Sequence, residues 1–149
     1  MSILAAAPRR VSVAMSLMTM AVALLAGGSA CGPGDEPEKT CTTFDASCAP
    51  LYPPTFDNVF QQTLKPTCAV SANCHGPAAR GDRITFTDPD ATHAALLARK
   101  LVEPGDAQCS TLAVRVTSTD AFTRMPPGRS LGTAESCAIQ QWIHASAAR

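Results

Sequence analysis

The sequence has few aromatic residues and no excess of charge of either sign. Aromatic side chains make up 5% of the 149 residues, and 12 lysines and arginines balance 12 aspartates and glutamates. No basic patch indicates nucleic-acid binding, and no run of acidic residues indicates an acidic tail. Because large side chains are scarce, a domain of this size is expected to need covalent cross-links or a cofactor for firm stability.

The sequence also lacks the residue patterns of the common hydrolytic and zinc sites. No serine–histidine–aspartate set and no pair of catalytic carboxylates can be recognised, so nothing indicates an enzyme. Cys68, Cys74 and His75 have no evident fourth partner for zinc, and exported thiols tend to oxidise. The chain contains no internal repeat.

The first thirty residues contain no acidic residue and read as a signal peptide. Arg9 and Arg10 precede an apolar run at residues 11–25, and small residues follow it. The apolar run is about fifteen residues long, and a helix needs roughly 20 to cross a bilayer. We therefore predict that residues 1–30 are removed and that the protein is exported to the cell envelope.

Small residues leading into Cys31 resemble the bacterial lipobox, in which the cysteine becomes the lipid-modified first residue. Gly28 occupies the position where a leucine is usual, and ordinary signal peptidase would also accept this segment. Residues 31–54 begin with a polar, proline-containing stretch that suits a flexible tether. The favoured interpretation is a lipoprotein anchored through Cys31, on the periplasmic or outer face of a membrane.

Seven cysteines are present, and six remain when Cys31 is set aside for the lipid. Six cysteines in an oxidising compartment permit three disulfides, or two disulfides and one haem attachment. Cys41 and Cys48 are close enough in sequence to close a local loop. Cys109 and Cys137 lie at the starts of the last two predicted helices and are expected to join them.

Residues 55–149 are predicted to form one mostly α-helical domain with long loops. A first helix begins after Thr55 and is expected to end at Lys65-Pro66, with an apolar face of Phe56, Val59, Phe60 and Leu64. A second helix begins at Asp88-Pro89, runs through Ala94, Leu97 and Leu101, and is expected to stop before Pro104-Gly105.

Two shorter helices and an extended segment complete the predicted domain. Ile84 and Phe86 are expected to point inward from an extended stretch at residues 83–87. A helix is expected at residues 110–116, burying Leu112 and Val116. The last helix begins near Thr133, runs to about Ser146, and carries an apolar face of Ala138, Ile139, Trp142 and Ile143. His93 and His144 lie on predicted helices and are interpreted as surface residues.

Two loops contain residues that suit a haem iron. A histidine directly after a cysteine, with another cysteine upstream, is the pattern by which c-type haem is attached, and Cys68, Cys74 and His75 follow it. Met125 is the only methionine outside the predicted signal peptide, and Pro126 and Pro127 restrict the backbone beside it. An imidazole and a thioether on opposite sides of haem iron favour electron transfer.

From about residue 57 to residue 147 the chain resembles the planctomycete-type cytochrome c domains of bacterial envelope proteins. The matching pieces occur in order: Cys74-His75-Gly76, Arg80-Gly81, Glu103-Pro104-Gly105-Asp106, Arg124-Met125-Pro126-Pro127-Gly128 and Trp142-Ile143-His144-Ala145. The resemblance implies a small cytochrome c-like fold with haem c on Cys68 and Cys74, iron ligands His75 and Met125, and electron transfer with a redox partner protein.

One departure from the family leaves a second interpretation open. Five residues separate Cys68 from Cys74, where the family usually has two. The two cysteines could instead form a disulfide, with His75 an ordinary loop residue. The protein would then be a haem-free lipoprotein, stabilised by three disulfides, that acts as a surface interaction module.

Overall fold

The structure is a computed structural model, and it describes residues 39–149. The predicted signal peptide and Cys31 lie outside the described residues. Four helices are found: α1 (Phe56–Val59), which continues as a π-helix over Phe60–Cys68, α2 (Pro89–Ala98), α3 (Thr111–Thr117) and α4 (Thr133–His144). No strand occurs in this part of the chain, so the mostly helical prediction with long loops is confirmed.

The core is built on a small group of aromatic side chains from α1 and α4. Phe56 and Trp142 are almost fully buried, and their ring centroids lie 5.2 Å apart. Phe60, Leu64, Ile139 and Ile143 extend this apolar contact along both helices. The apolar faces predicted for these two helices are therefore confirmed. Ile84 and Phe86 are also buried, as predicted, although their segment forms no strand.

The first helix extends beyond the predicted end at Lys65-Pro66. The Ala69 N–H donates to Leu64 O at 3.1 Å, five residues back, and the helix runs to Cys68 in this wider register. A proline has no N–H and crowds the carbonyl four residues before it, which disfavours the α register here. Because the helix continues to Cys68, this residue lies on the wall of a cavity.

The second helix is shorter than predicted, and one of the buried residues of the third helix differs from the prediction. The second helix ends at Ala98 because Lys100 adopts a positive φ of 52°, and the Leu101 N–H donates to Leu96 O at 2.9 Å to close the end. Thr92 and Leu96 are its buried residues, whereas Ala94 is exposed. The third helix likewise buries Ala113 with Val116, and Leu112 is only partly buried.

Four cysteines form two disulfides, but not in the predicted pairs. Cys41 is bonded to Cys109, and Cys48 is bonded to Cys137. The predicted local Cys41–Cys48 loop and the predicted Cys109–Cys137 bond are both wrong. The reason lies in the path of residues 39–54, which run past α3 and α4 and so place their two cysteines beside different partners.

Hydrogen bonds hold the same segment against the helices. The Thr42 N–H donates to Gln108 O at 2.9 Å, next to Cys109, and the Gln140 side-chain amide donates to Thr43 O at 2.9 Å. The Gln141 amide donates to Cys48 O at 2.8 Å. The described part of the predicted tether, from residue 39 onward, is thus bound to the domain.

Among the described residues, none of the helices combines the length and apolar character needed to span a membrane.

Candidate functional site

Two cavities of ≈ 220 Å³ each share three of their lining residues, Cys68, His75 and Met125. The first also contacts Cys74, Pro126 and Pro127. The second is mostly apolar, and its wall includes Ile84, Phe86, Leu96, Leu101, Leu112 and Val116. The structure therefore brings the two predicted loops together on one apolar space, although they lie about fifty residues apart in sequence.

A single hydrogen bond orients the His75 ring. Nδ1 lies 2.9 Å from Ile84 O, and the ring packs on Phe86 with centroids 4.7 Å apart. Because a carbonyl oxygen can only accept, Nδ1 carries the proton of the neutral ring. Nε2 then presents a lone pair, which is the state in which an imidazole ligates a metal. Sequence patterns alone could not have identified the Ile84 carbonyl or the Phe86 contact.

The loop between the two free cysteines is folded so that Cys68 and His75 meet. The His75 N–H donates to Cys68 O at 3.0 Å. In a helical turn with two residues between the cysteines, the histidine N–H would donate to the carbonyl of the first cysteine, four residues earlier. In the five-residue loop, which bulges outward through the exposed residues 70–73, the histidine N–H donates to the carbonyl of the first cysteine as well.

Gly76 permits this tight loop. The Ser71 carbonyl accepts hydrogen bonds from the N–H groups of Cys74 at 3.1 Å and Gly76 at 3.0 Å. A Cβ atom on Gly76 would lie 2.7 Å from Ser71 O and 2.8 Å from Ala69 O, which is closer than such atoms approach. Only glycine therefore fits directly after His75 in this fold.

Neither Cys68 nor Cys74 is in a disulfide, although the other four described cysteines are. Cys68 is 8% exposed, and its burial raises the pKa of the thiol to about 11, while the positive charge of Arg129 acts in the opposite direction. Cys68 is therefore a neutral thiol at physiological pH. Cys74 is partly exposed, and its sulfur accepts a 3.5 Å contact from the Ser71 hydroxyl.

The Met125 loop is ordered by hydrogen bonds to α3 and within itself. The Met125 N–H donates to Arg115 O at 2.9 Å, and Arg115 Nη1 donates to Thr123 O at 3.0 Å. The Asp120 carboxylate accepts the N–H groups of Phe122 and Thr123, each at 2.9 Å, which lowers the pKa of Asp120. Met125 is partly buried on the cavity wall rather than packed in the core.

The remaining histidines lie away from both cavities. His93 is not the surface residue that the sequence suggested: it packs on Phe56 and Trp142, and its Nε2 lies 2.9 Å from Ala147 O. His144 is exposed and contacts Phe44. Within residues 39–149, no three histidine, cysteine, aspartate or glutamate side chains are grouped to hold a metal ion.

Comparison with protein families gives a match that includes most of this site. Residues 72–128 match the family model for Planctomycete cytochrome C. The resemblance predicted from the sequence is confirmed over this segment. The planctomycete cytochrome c match contains Cys74, His75 and Met125, and it begins four residues after Cys68. No curated protein and no solved structure matches the chain.

Proposed function

We propose that this protein is a c-type cytochrome that carries single electrons on one haem. The observation that carries the proposal is the convergence of an imidazole, a thioether and two unpaired thiols on one apolar space. These are the donor types that a c-type haem requires, and the planctomycete cytochrome c match covers three of the four residues.

His75 and Met125 would hold the iron of the haem. The Ile84 carbonyl keeps the Nδ1 proton in place, so that Nε2 of His75 is the free donor. Arg115 O positions the Met125 backbone. When bound, haem supplies an iron that gains and loses one electron. If both residues ligated the iron, no iron position would be left for a substrate, which favours an electron carrier over an enzyme.

Cys68 and Cys74 would attach the haem covalently. Each thiol would add across one vinyl group, with its sulfur on one carbon and its hydrogen on the other, so that no leaving group is needed. The hydrogen bond from His75 N–H to Cys68 O supports attachment at both positions. The same hydrogen bond would form in a loop with only two residues between the cysteines. The apolar side chains of the second cavity would exclude water from the ring.

The test is to express the full chain with export and haem-c maturation, and to measure absorbance, intact mass and free thiols. We expect a reduced-form α-band, a mass increase of one intact haem, and no thiol at Cys68 or Cys74 that can be alkylated after denaturation. The Cys68→Ala/Cys74→Ala variant should be colourless, whereas Ser71→Ala, in the same loop, should still carry haem.

Two other outcomes would contradict part or all of this proposal. A colourless protein whose Cys68 and Cys74 are bonded to each other would overturn the cytochrome proposal in favour of a haem-free, disulfide-stabilised interaction module. A coloured protein with one alkylatable thiol at Cys68 would retain the electron carrier and refute attachment at that position.

We further propose that the cytochrome is exported and held on an envelope membrane by a lipid on Cys31. The signal-like segment at residues 1–30 and the small residues before Cys31 support this. The Cys31→Ala variant is expected to move from the membrane to the soluble envelope fraction while retaining its haem, because small residues for ordinary signal peptidase remain. Haem absorbance in each fraction measures the change, and unchanged fractionation would refute lipid anchoring.

A further inference from the structure

A third cavity, of ≈ 460 Å³, is lined by residues 42–48, the end of α3, residues 130–133 and the start of α4. Its volume falls in the range of small-molecule sites, roughly 300–1,000 Å³. It shares only Val116 with the two cavities of the proposed haem site. This cavity is therefore a separate place in the molecule where a ligand could bind.

Hydroxyl groups are the main polar feature of the third cavity, and seven of its lining side chains carry one. The Thr117 hydroxyl donates to the Thr42 hydroxyl at 2.8 Å. The other five hydroxyls form no hydrogen bond with any residue of 39–149. They belong to Thr43, Thr119, Ser130, Thr133 and Ser136. The cavity therefore presents several unpaired groups that can each donate and accept.

Two of the polar side chains that line this cavity are more than nine-tenths buried. Ser136 is 7% exposed and Gln140 is 6% exposed. Gln140 Nε2 donates to Thr43 O at 2.9 Å, which leaves Oε1 without a partner, and the Ser136 hydroxyl has none. Among residues 39–149, Arg124 Nε is the only fully buried side-chain nitrogen or oxygen without a partner. The Ser136 and Gln140 oxygens are therefore accessible from the cavity and available to a ligand.

The charges and apolar groups of the lining restrict the class of ligand. Asp45 is the only charged lining residue, and hydrogen bonds from the Ser47 hydroxyl and N–H to Oδ1 lower its pKa, so Oδ2 of a carboxylate is left to accept. No described lysine, arginine, histidine or aromatic residue lines the cavity, so an anion would be unpaired and a flat ring would have no stacking partner. Val116 and Leu131 add small apolar surfaces.

We propose that the third cavity binds a neutral saccharide. Each hydroxyl group of a sugar both donates and accepts, as the serine and threonine hydroxyls of the lining do. The Asp45 carboxylate and the Gln140 amide oxygen would accept from sugar hydroxyls, and the bond to the carboxylate is of the stronger, charge-assisted class. Val116 and Leu131 would contact the C–H groups of the sugar ring. The inference goes beyond the proposed electron transfer and does not depend on it.

The experiment titrates the purified full chain, as exported and kept reduced, with cellobiose, maltose and N,N′-diacetylchitobiose. Calorimetry gives the dissociation constant, and backbone amide NMR signals locate the site. We expect at least one of these sugars to bind with a dissociation constant on the order of 1 mM, which a few uncharged hydrogen bonds support. The signals of Thr133, Ser136 and Gln140 should shift, whereas that of His75 should not.

Two variants test the lining, and a third is the control. Thr133→Val/Ser136→Ala removes two hydroxyls that bond to no protein group, and binding should weaken at least about tenfold. Asp45→Asn alters an exposed side chain and so guards against misfolding of the first variant; binding should weaken about tenfold. Thr85→Val makes the same change as Thr133→Val at an exposed position outside the cavity, and binding should be unaltered.

Several results would overturn the inference. These are binding of none of the sugars, unchanged binding in both lining variants, shifts confined to signals outside the cavity, and tighter binding of maltose 1-phosphate than of maltose. Calcium chloride is titrated separately, and shifts of the same signals by Ca²⁺ but by no sugar would assign the cavity to a cation instead. Failure of haem attachment would overturn the cytochrome proposal and leave the saccharide inference standing.

Discussion

The Met125→Ala variant of the haem-loaded protein is expected to have a reduction potential lower by on the order of 0.1–0.3 V, a fraction of the roughly 0.8 V over which axial ligands set haem potentials. A methionine sulfur stabilises the reduced iron relative to the oxidised iron, and alanine cannot replace it. Haem should remain attached, because the thiols and His75 are untouched. Spectroelectrochemical titration measures the potential.

Two further variants separate ligation from disturbance of the loop. Met125→His should keep a ligand on both sides of the iron but still lower the potential, because imidazole replaces the sulfur. Phe122→Ala changes a side chain that is 94% exposed in the same loop and should leave the potential unchanged. A Met125→Ala protein with an unaltered potential, which also fails to bind added carbon monoxide when reduced, would show that Met125 is not a ligand.

Removal of the Cys48–Cys137 disulfide is expected to lower the free energy of unfolding by about 4–5 kcal/mol. The bond joins residues 89 positions apart, so its loss frees a long loop in the unfolded chain. Small domains are stable by only about 5–15 kcal/mol, and this one has few aromatic residues. Urea unfolding of the Cys48→Ser/Cys137→Ser variant, followed by far-ultraviolet circular dichroism, measures the change.

The second disulfide provides the comparison. Cys41 and Cys109 are 68 positions apart, and loop-closure entropy rises slowly with length, so Cys41→Ser/Cys109→Ser should cost about as much. Ser47→Ala, beside Cys48 on the exposed surface, should change stability by less than about 0.5 kcal/mol. If either cysteine pair can be replaced at a loss below about 1 kcal/mol, residues 39–54 are not the structural element inferred from their bonds.

The helices could be predicted from local patterns because their signals lie within a few residues. Thr55 and Asp88 cap the first two helices through their side chains, as such residues do when they precede an apolar helical face. The ends were harder to predict. Pro66 interrupts the α register without ending the helix. Lys100 ends α2 by adopting a left-handed conformation, which cannot be predicted from a lysine in the sequence.

Cysteine pairing could not be obtained in the same way. Proximity in sequence suggested Cys41–Cys48, but the segment that carries both cysteines runs past two helices and places each beside a different partner. The partners are set by where α3 and α4 lie in the folded domain, and that depends on contacts such as those between Phe56 and Trp142. For the same reason, the backbone carbonyl that orients His75 could be found only in the folded chain.

Local sequence alone determined which chemical groups this protein has available: a cysteine followed by histidine, one methionine between polar and proline residues, and six cysteines beyond the predicted lipid site. Tertiary structure decided which of them meet. Long-range packing brought His75 and Met125 to one apolar space, used four cysteines as cross-links and left Cys68 and Cys74 as thiols. The physical reason is that residue type and spacing act over a few residues, whereas a cavity is made by segments that only the burial of the core brings together.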